Sequence, residues 1–430
     1  MTPVVVGSLP LSCYPDDGGA IHHQGRIIVA GLLKSARCET YVVGEEPEFE
    51  SSLDPFGPAP AVFLEGEGLT PSEREAPPFG SENPVTFVFP VHYPEGGWGL
   101  VWGEAVAPDS RTSPEEGWPV DWTSRVLASE FHDGHWQPTE TILSEDRSLV
   151  GRPGSMRNLV TRDGQTTVLL TQTFHSVLSY GGYPGVVSWT TGGDPAHHSF
   201  PGQLPSLGGQ PSLGLDGAGD LWLSWADTTD AGDIRLHVHR LGPDGLDDGP
   251  PAILPATIEE RNDVADLAVF FDGADGMHLF WTSVSGPRPR YVARASPESE
   301  WEEIELRNPS SGTPIETAFA FAPFPLGETG EMAVGLEVVN PQAPHGAWLN
   351  VEVWTRLDGE WVDVLESEGD SPPLTRAVVP IHGPSGPCGL VWASADVRGM
   401  QEREMIEPLE LQAIGCRRDQ AGAPDPGTTP

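Results

Sequence analysis

The sequence predicts an all-β fold: a single β-propeller of about seven four-stranded blades, with six as the alternative. Three observations lead there. A unit of about 55 residues recurs along the chain, each unit holds two strand-turn-strand hairpins, and Pro and Gly interrupt every candidate helix. A small sheet with two apolar faces hides them only by leaning on its neighbours, and a closed ring does this while leaving short edges.

The clearest copies of the unit are PSLGLDGAGDLWLSW, ending at Trp225, and LAVFFDGADGMHLFW, ending at Trp281. Their turn aspartates Asp216 and Asp272 are 56 residues apart, as are the two tryptophans. Weaker copies turn at Asp163, near Glu328 and at Gly383, so the positions 163, 216, 272, 328 and 383 are separated by 53, 56, 56 and 55. Upstream turns near Gln24 and Tyr93 give longer intervals of 69 and 70, and Pro-rich polar insertions at 45–60 and 106–119 account for the excess.

The second hairpin of the unit places an acidic or Gly turn before Trp136, Trp301 and Trp361. Asp-Gly between alternating strands is a strong hairpin signal, because both central residues of a type I′ turn need positive φ. The units fall near 20–65, 84–143, 156–201, 209–255, 263–307, 316–366 and 374–414, within a propeller of 1–418. Thr2–Gly7 is a candidate N-terminal strand to close the last blade, and 419–430 reads as a disordered tail.

Composition narrows the partners. Gly 51 and Pro 45 make the 430-residue chain rich in turns, while 14 Trp supply apolar surface for a core. The formal net charge of −40, with Lys34 the only lysine, repels phosphate backbones and anionic lipid surfaces, so nucleic acid is excluded as a partner. No run approaches the ~20 apolar residues of a transmembrane segment.

The four cysteines lie as two local pairs, Cys13 with Cys38 and Cys388 with Cys416. Two disulfides in an oxidising, extracytoplasmic compartment fit an even count, with buried free thiols as the alternative. The opening MTPVVVGSLPLSC resembles the end of a bacterial lipoprotein signal, with Cys13 as the lipidated residue. That reading makes the chain lipid-anchored and removes Cys13 from any pairing.

The hairpins around Ser129, Asp133, Gly134 and Trp136, and around Asp358, Gly359 and Trp361, resemble the Asp-boxes of sialidase-like β-propellers, shortened by one residue between Asp and Gly. In that family the Asp caps its own turn and the Trp packs between blades. The resemblance implies, for a working sialidase, three arginines, a Tyr/Glu nucleophile pair and an acidic proton donor. Arg26-Ile27-Ile28 echoes the Arg-Ile-Pro strand that opens such chains, without its proline.

Ligands of propellers commonly bind where the innermost strands begin, at the mouth of the central channel. Counting back six residues from the turns gives Arg157, Asp266 and Arg376, and Glu316 opens the corresponding strand of its unit. Two arginines and two carboxylates converging on one axis suit a hydroxylated or anionic ligand, a glycan or a protein, and equally suit mutual ion pairs around a wet channel. Asp216/Asp220 and Asp272/Asp275 carry oxygen donors for calcium, or cap ordinary hairpins. Among the histidine pairs only His237 and His239 share one side of a strand. The reading that results is a noncatalytic, extracytoplasmic binding protein that recognises a glycan, a peptide or a protein partner at the channel mouth, without an obligatory cofactor. A sialidase-like glycoside hydrolase or a lyase using channel-mouth carboxylates, and a structural subunit of an envelope assembly, are the alternatives.

Overall fold

The computed structural model describes residues 4–9, 15–33, 59–64, 79, 85–104, 125–144, 149–150, 159–173, 175–176, 179–180, 185–199, 212–228, 234–242, 245–247, 252–254, 264–272, 274–283, 288–296, 299–326, 331–339, 349–357, 359–365, 374–395 and 409–416. Among them there are strands, turns and a single 3-10 turn at Pro94–Gly96, and no α-helix.

The strands form a β-propeller of six blades, each built on a four-stranded antiparallel core. Five blades are separate sheets, spanning 85–144, 149–199, 212–254, 264–303 and 318–363, and are called the first to the fifth in that order. The sixth, closing blade joins strands from both ends of the chain. Val4–Leu9 pairs antiparallel with Leu409–Gly415, beside Gly386–Ala395 and Leu374–Gly383.

The expected seven separate blades become six because the first and last units share this closing sheet. Pro15–His23 pairs in parallel with Leu374–Gly383 at two positions, Ala20 with Ile381 and Ile21 with His382, and so brings Arg26–Leu33 and Ala59–Leu64 into one seven-stranded sheet. The repeat itself persists in the packing. An apolar layer holding Ala20, Ile27 and Val29 against Ile381, Val391 and Leu411 lies between the two halves of that sheet, as similar layers lie between the blades.

Each of those layers is built from alternate residues of the inner strands. Phe87, Phe89, Val91 and Tyr93 pack with Leu159, Val168 and Trp189 of the second blade, while Val85 and Val88 pack with Ile21 and Ile28 of the closing sheet. The tryptophans that end the second strand of a unit, Trp102, Trp225, Trp281 and Trp392, are all buried. Burying such a side chain contributes of the order of 3 kcal/mol or more at ~25 cal/mol per Å², so the layers hold the ring together.

The turn chemistry follows the sequence. Gln24–Gly25, Asp133–Gly134 and Asp163–Gly164 all have positive φ at both residues, between 48° and 83°, as a type I′ turn requires. Trp361 sends its indole N–H to the Glu305 carbonyl of the fourth blade at 3.0 Å, and Trp136 packs on Trp98 and Phe131, so these hairpin tryptophans act as packing groups.

The Cys388–Cys416 disulfide forms, across the second strand of the last unit and the end of the strand paired with it. Cys13 and Cys38, and the tail 419–430, lie outside the described residues. No described helix is long and apolar enough to cross a membrane.

Candidate functional site

The inner strands give the ring two ends: a mouth, where they begin, and a turn end, where each folds back into its second strand. Near the mouth a β-bulge interrupts five of them, between Asp16 and Gly19, Val85 and Phe87, Ala265 and Ala268, Ala318 and Ala320, and Arg376 and Val379. Bulges re-aim the residues they contain and are frequent at the rims of binding sites.

Three of the four sequence-derived mouth residues fall at this end. Asp266 lies inside the bulge of Val264–Phe271, and Arg376 lies at the edge of the bulge in Leu374–Gly383, opposite Ala393. Matching Trp281 to Trp392 on the neighbouring strands puts Arg376 level with Ala265, one residue before the level of Asp266. Glu316 stands exposed two residues before the strand Ala318–Leu326. Arg157 lies outside the described residues. Arg26, the echo of the sialidase strand, pairs with His23 at the turn end and is exposed, away from the mouth.

At the turn end, hydrogen bonds link the first and second blades to the closing blade. His92, from the first blade, donates its Nε2–H to the His382 carbonyl of the closing blade at 3.0 Å. Because a carbonyl only accepts, this contact fixes the Nε2–H tautomer of His92. The amide of Gly164, from the second blade, reaches across to the Pro384 carbonyl at 2.9 Å. Thr166 accepts from the His92 amide at 2.9 Å and shares a hydrogen bond with Thr161 at 3.0 Å. Val379 packs against the layer between the first two blades as well as its own.

A histidine cluster lies at these contacts. His22, His92 and His382 are buried, and the ring of His23 lies 6.0 Å from that of His92. Burial lowers His382 to about 3, helped by His92, and lowers His92 to about 4 against the opposing hydrogen bond to His382. Burial and the neighbouring His22 also lower His23. Among the described residues, neither ring nitrogen of His382 has a hydrogen-bond partner. Sequence reasoning missed His92 and His382 because 290 residues separate them. The available signal was position: His23, His92 and His382 each stand at the end of an inner strand, against its turn.

The other histidines and the turn aspartates have local partners. His237 and His239 stack on Trp225 at 4.6 and 4.9 Å, and His239 Nδ1 meets the Asp247 carbonyl at 2.8 Å. Asp216 accepts from its own turn amide at Asp220 and from the Trp222 indole. Asp272 accepts from the amides of Ala274 and Gly276 and contacts the His278 ring. These aspartates cap their hairpins, and Asp275 also receives the amide of Gly217 from the neighbouring blade at 2.8 Å. Among the described residues no group of three His, Cys, Asp or Glu is placed to hold a metal ion.

No family model matches the chain, and no curated protein does. Solved structures do. An ulvan lyase of polysaccharide lyase family 25 superposes with a TM-score of 0.51 at 10% identity, covering 96% of this chain and 96% of its own. A protein of unknown function from Dyadobacter fermentans gives 0.45 at 12% identity, over 78% of this chain and 96% of its own. The microbial sialidase Hz136 gives 0.39 at 14% identity, over 74% and 63%. At these identities the likeness is one of fold: the protein is of the β-propeller class, and the Asp-box type is not confirmed by a family model.

Proposed function

We propose that the protein is a noncatalytic, extracytoplasmic propeller that recognises a glycan at the mouth of its central channel. What carries the reading is the set of β-bulges at the starts of five inner strands, one containing Asp266 and another bounded by Arg376, since such irregularities are frequent beside binding sites. A propeller of similar extent acts on a polysaccharide, the ulvan lyase, which favours a glycan over a peptide or protein partner. The Cys388–Cys416 disulfide suits an oxidising compartment.

A glycan array read with the wild type and with an Arg157→Ala/Arg376→Ala variant tests this. Binding lost in the variant supports the mouth, and binding unchanged removes it. The same ulvan lyase favours a second reading, an enzyme using mouth carboxylates. Turnover of a polysaccharide and glycoside panel that disappears in Glu316→Gln and Asp266→Asn would establish it in place of the first.

A further inference from the structure

A second cavity opens at the turn end, between the first and second blades, about 380 Å³ in volume and lined in part by Tyr93, Glu95, Ser129, Glu130, Gln137 and Glu140. Its walls are built rather than incidental. A Cβ on Gly97 would come within 2.3 Å of the Glu130 carboxylate, and one on Gly99 within 2.7 Å of the Tyr93 ring, so two glycines of one strand make room for both groups. The Ser129 hydroxyl donates to the Gln137 carbonyl at 2.7 Å and the Gln137 amide to the Glu130 carbonyl at 2.8 Å, which hold the outer wall in place.

Tyr93 is only 6% exposed, its ring is held by an edge contact with Trp189, and among the described residues its hydroxyl has no hydrogen-bond partner. Tyr93 lines the cavity, so its hydroxyl is open there to a ligand atom. Burial, with Glu140 and Glu130 adding to it, raises its pKa and keeps the proton on.

The chemistry selects the ligand. The lining residues offer three carboxylates and no Lys or Arg, so they attract a cation rich in donors and repel uronates and sulfated sugars. The carboxylates are not grouped as metal ligands. The volume is at the lower end of the ~300–1,000 Å³ of small-molecule sites, and the tip of a lysine would leave most of it empty. The geometry points to a binding site for a protonated amino sugar, its ammonium held between Glu130 and Glu140 and a ring hydroxyl on Tyr93. It lies at the opposite end of the inner strands from the channel mouth and does not depend on the reading given for it.

Ligand-observed NMR and calorimetry on the intact chain, in slightly acidic buffer, test this with glucosamine, N-acetylglucosamine, Nα-acetyl-lysine amide and calcium chloride. Glucosamine should bind, and N-acetylglucosamine at least about tenfold more weakly, since acetylation removes the charge. Glu130→Gln and Glu140→Gln should each weaken glucosamine by about tenfold, and Tyr93→Phe by several fold, with melting temperatures near wild type as the control for folding. Glu140 is exposed, so its variant reads the site without disturbing the core. Equal binding of the acetylated sugar, binding unchanged in both glutamine variants, or binding of the lysine amide or calcium alone would overturn the proposal.

Discussion

His92 and His382 lie 290 residues apart and meet at the turn end of the propeller through a hydrogen bond from the Nε2–H of the His92 ring to the His382 carbonyl. The contact ties the first blade to the closing blade, and burial, which lowers both rings, keeps them neutral at neutral pH. Protonated rings in this cluster would bring charges close to His22 and His23 with little solvent to screen them.

The pH dependence follows from the direction of those shifts. Both histidines titrate below their ordinary value of 6.5, at about 4 and about 3, so the unfolded chain binds protons first. The stability they confer is complete above pH ~6.5 and is lost as the pH falls through the folded values. For His92 the shift corresponds to roughly 3 kcal/mol. Urea unfolding between neutral and mildly acidic pH should show this loss, and His382→Leu, which removes two unpartnered buried nitrogens, should flatten it while leaving neutral stability unchanged or higher. The same steep acid dependence in His382→Leu would assign it to the carboxylates instead.

Much of the fold was legible because the repeat is written in turn residues, whose φ requirements are local: Asp163–Gly164 and Asp133–Gly134 adopt the turn that their sequence demands. The merging of the first and last units was not legible. It rests on two parallel backbone pairs, Ala20 with Ile381 and Ile21 with His382, in which side-chain type plays no part. The cavity at Tyr93 was hidden for a related reason, since it depends on Gly97 and Gly99 having no side chain and on residues of three different strands meeting. Arg376 falls one level from Asp266 because a second irregularity, between Ile381 and His382, alters the count back from the turn in that strand.

The turn aspartates should behave as structural caps. Burial opposes ionisation of Asp272, but hydrogen bonds from His278, Ala274 and Gly276 outweigh it and hold its carboxyl below the ordinary range. Asp272→Ala is expected to cost about 2 kcal/mol by denaturant titration, an effect that shrinks once the pH falls through the depressed carboxyl value. Added calcium or EDTA should leave the wild-type melting temperature unchanged. A calcium-dependent rise that disappears in Asp272→Ala and Asp216→Ala would make these turns ion sites.

The Cys388–Cys416 bridge closes a segment of 28 residues in the last unit. Loop-closure entropy assigns about 3–4 kcal/mol to a cross-link of that span. Thermal melts with and without reductant, and of a Cys388→Ser/Cys416→Ser variant, should both show the loss. Equal melting temperatures in oxidised and reduced protein would mean that the closing sheet holds without it.

Trp225 tests whether the ring unfolds as one body. It is 3% exposed, packs with Val160, Leu169, Leu213 and Leu223 between the second and third blades, and carries His237 parallel to its ring at 3°. Trp225→Ala should cost about 3–5 kcal/mol, as loss of a large buried aromatic does. Each layer of a closed ring supports the layers on both sides, so the damage should lower the whole transition without splitting it. Circular dichroism and tryptophan fluorescence should therefore report one coincident, earlier midpoint. Two separated midpoints would show that the blades beyond this layer form an independent core, and the argument from ring closure would fail with them.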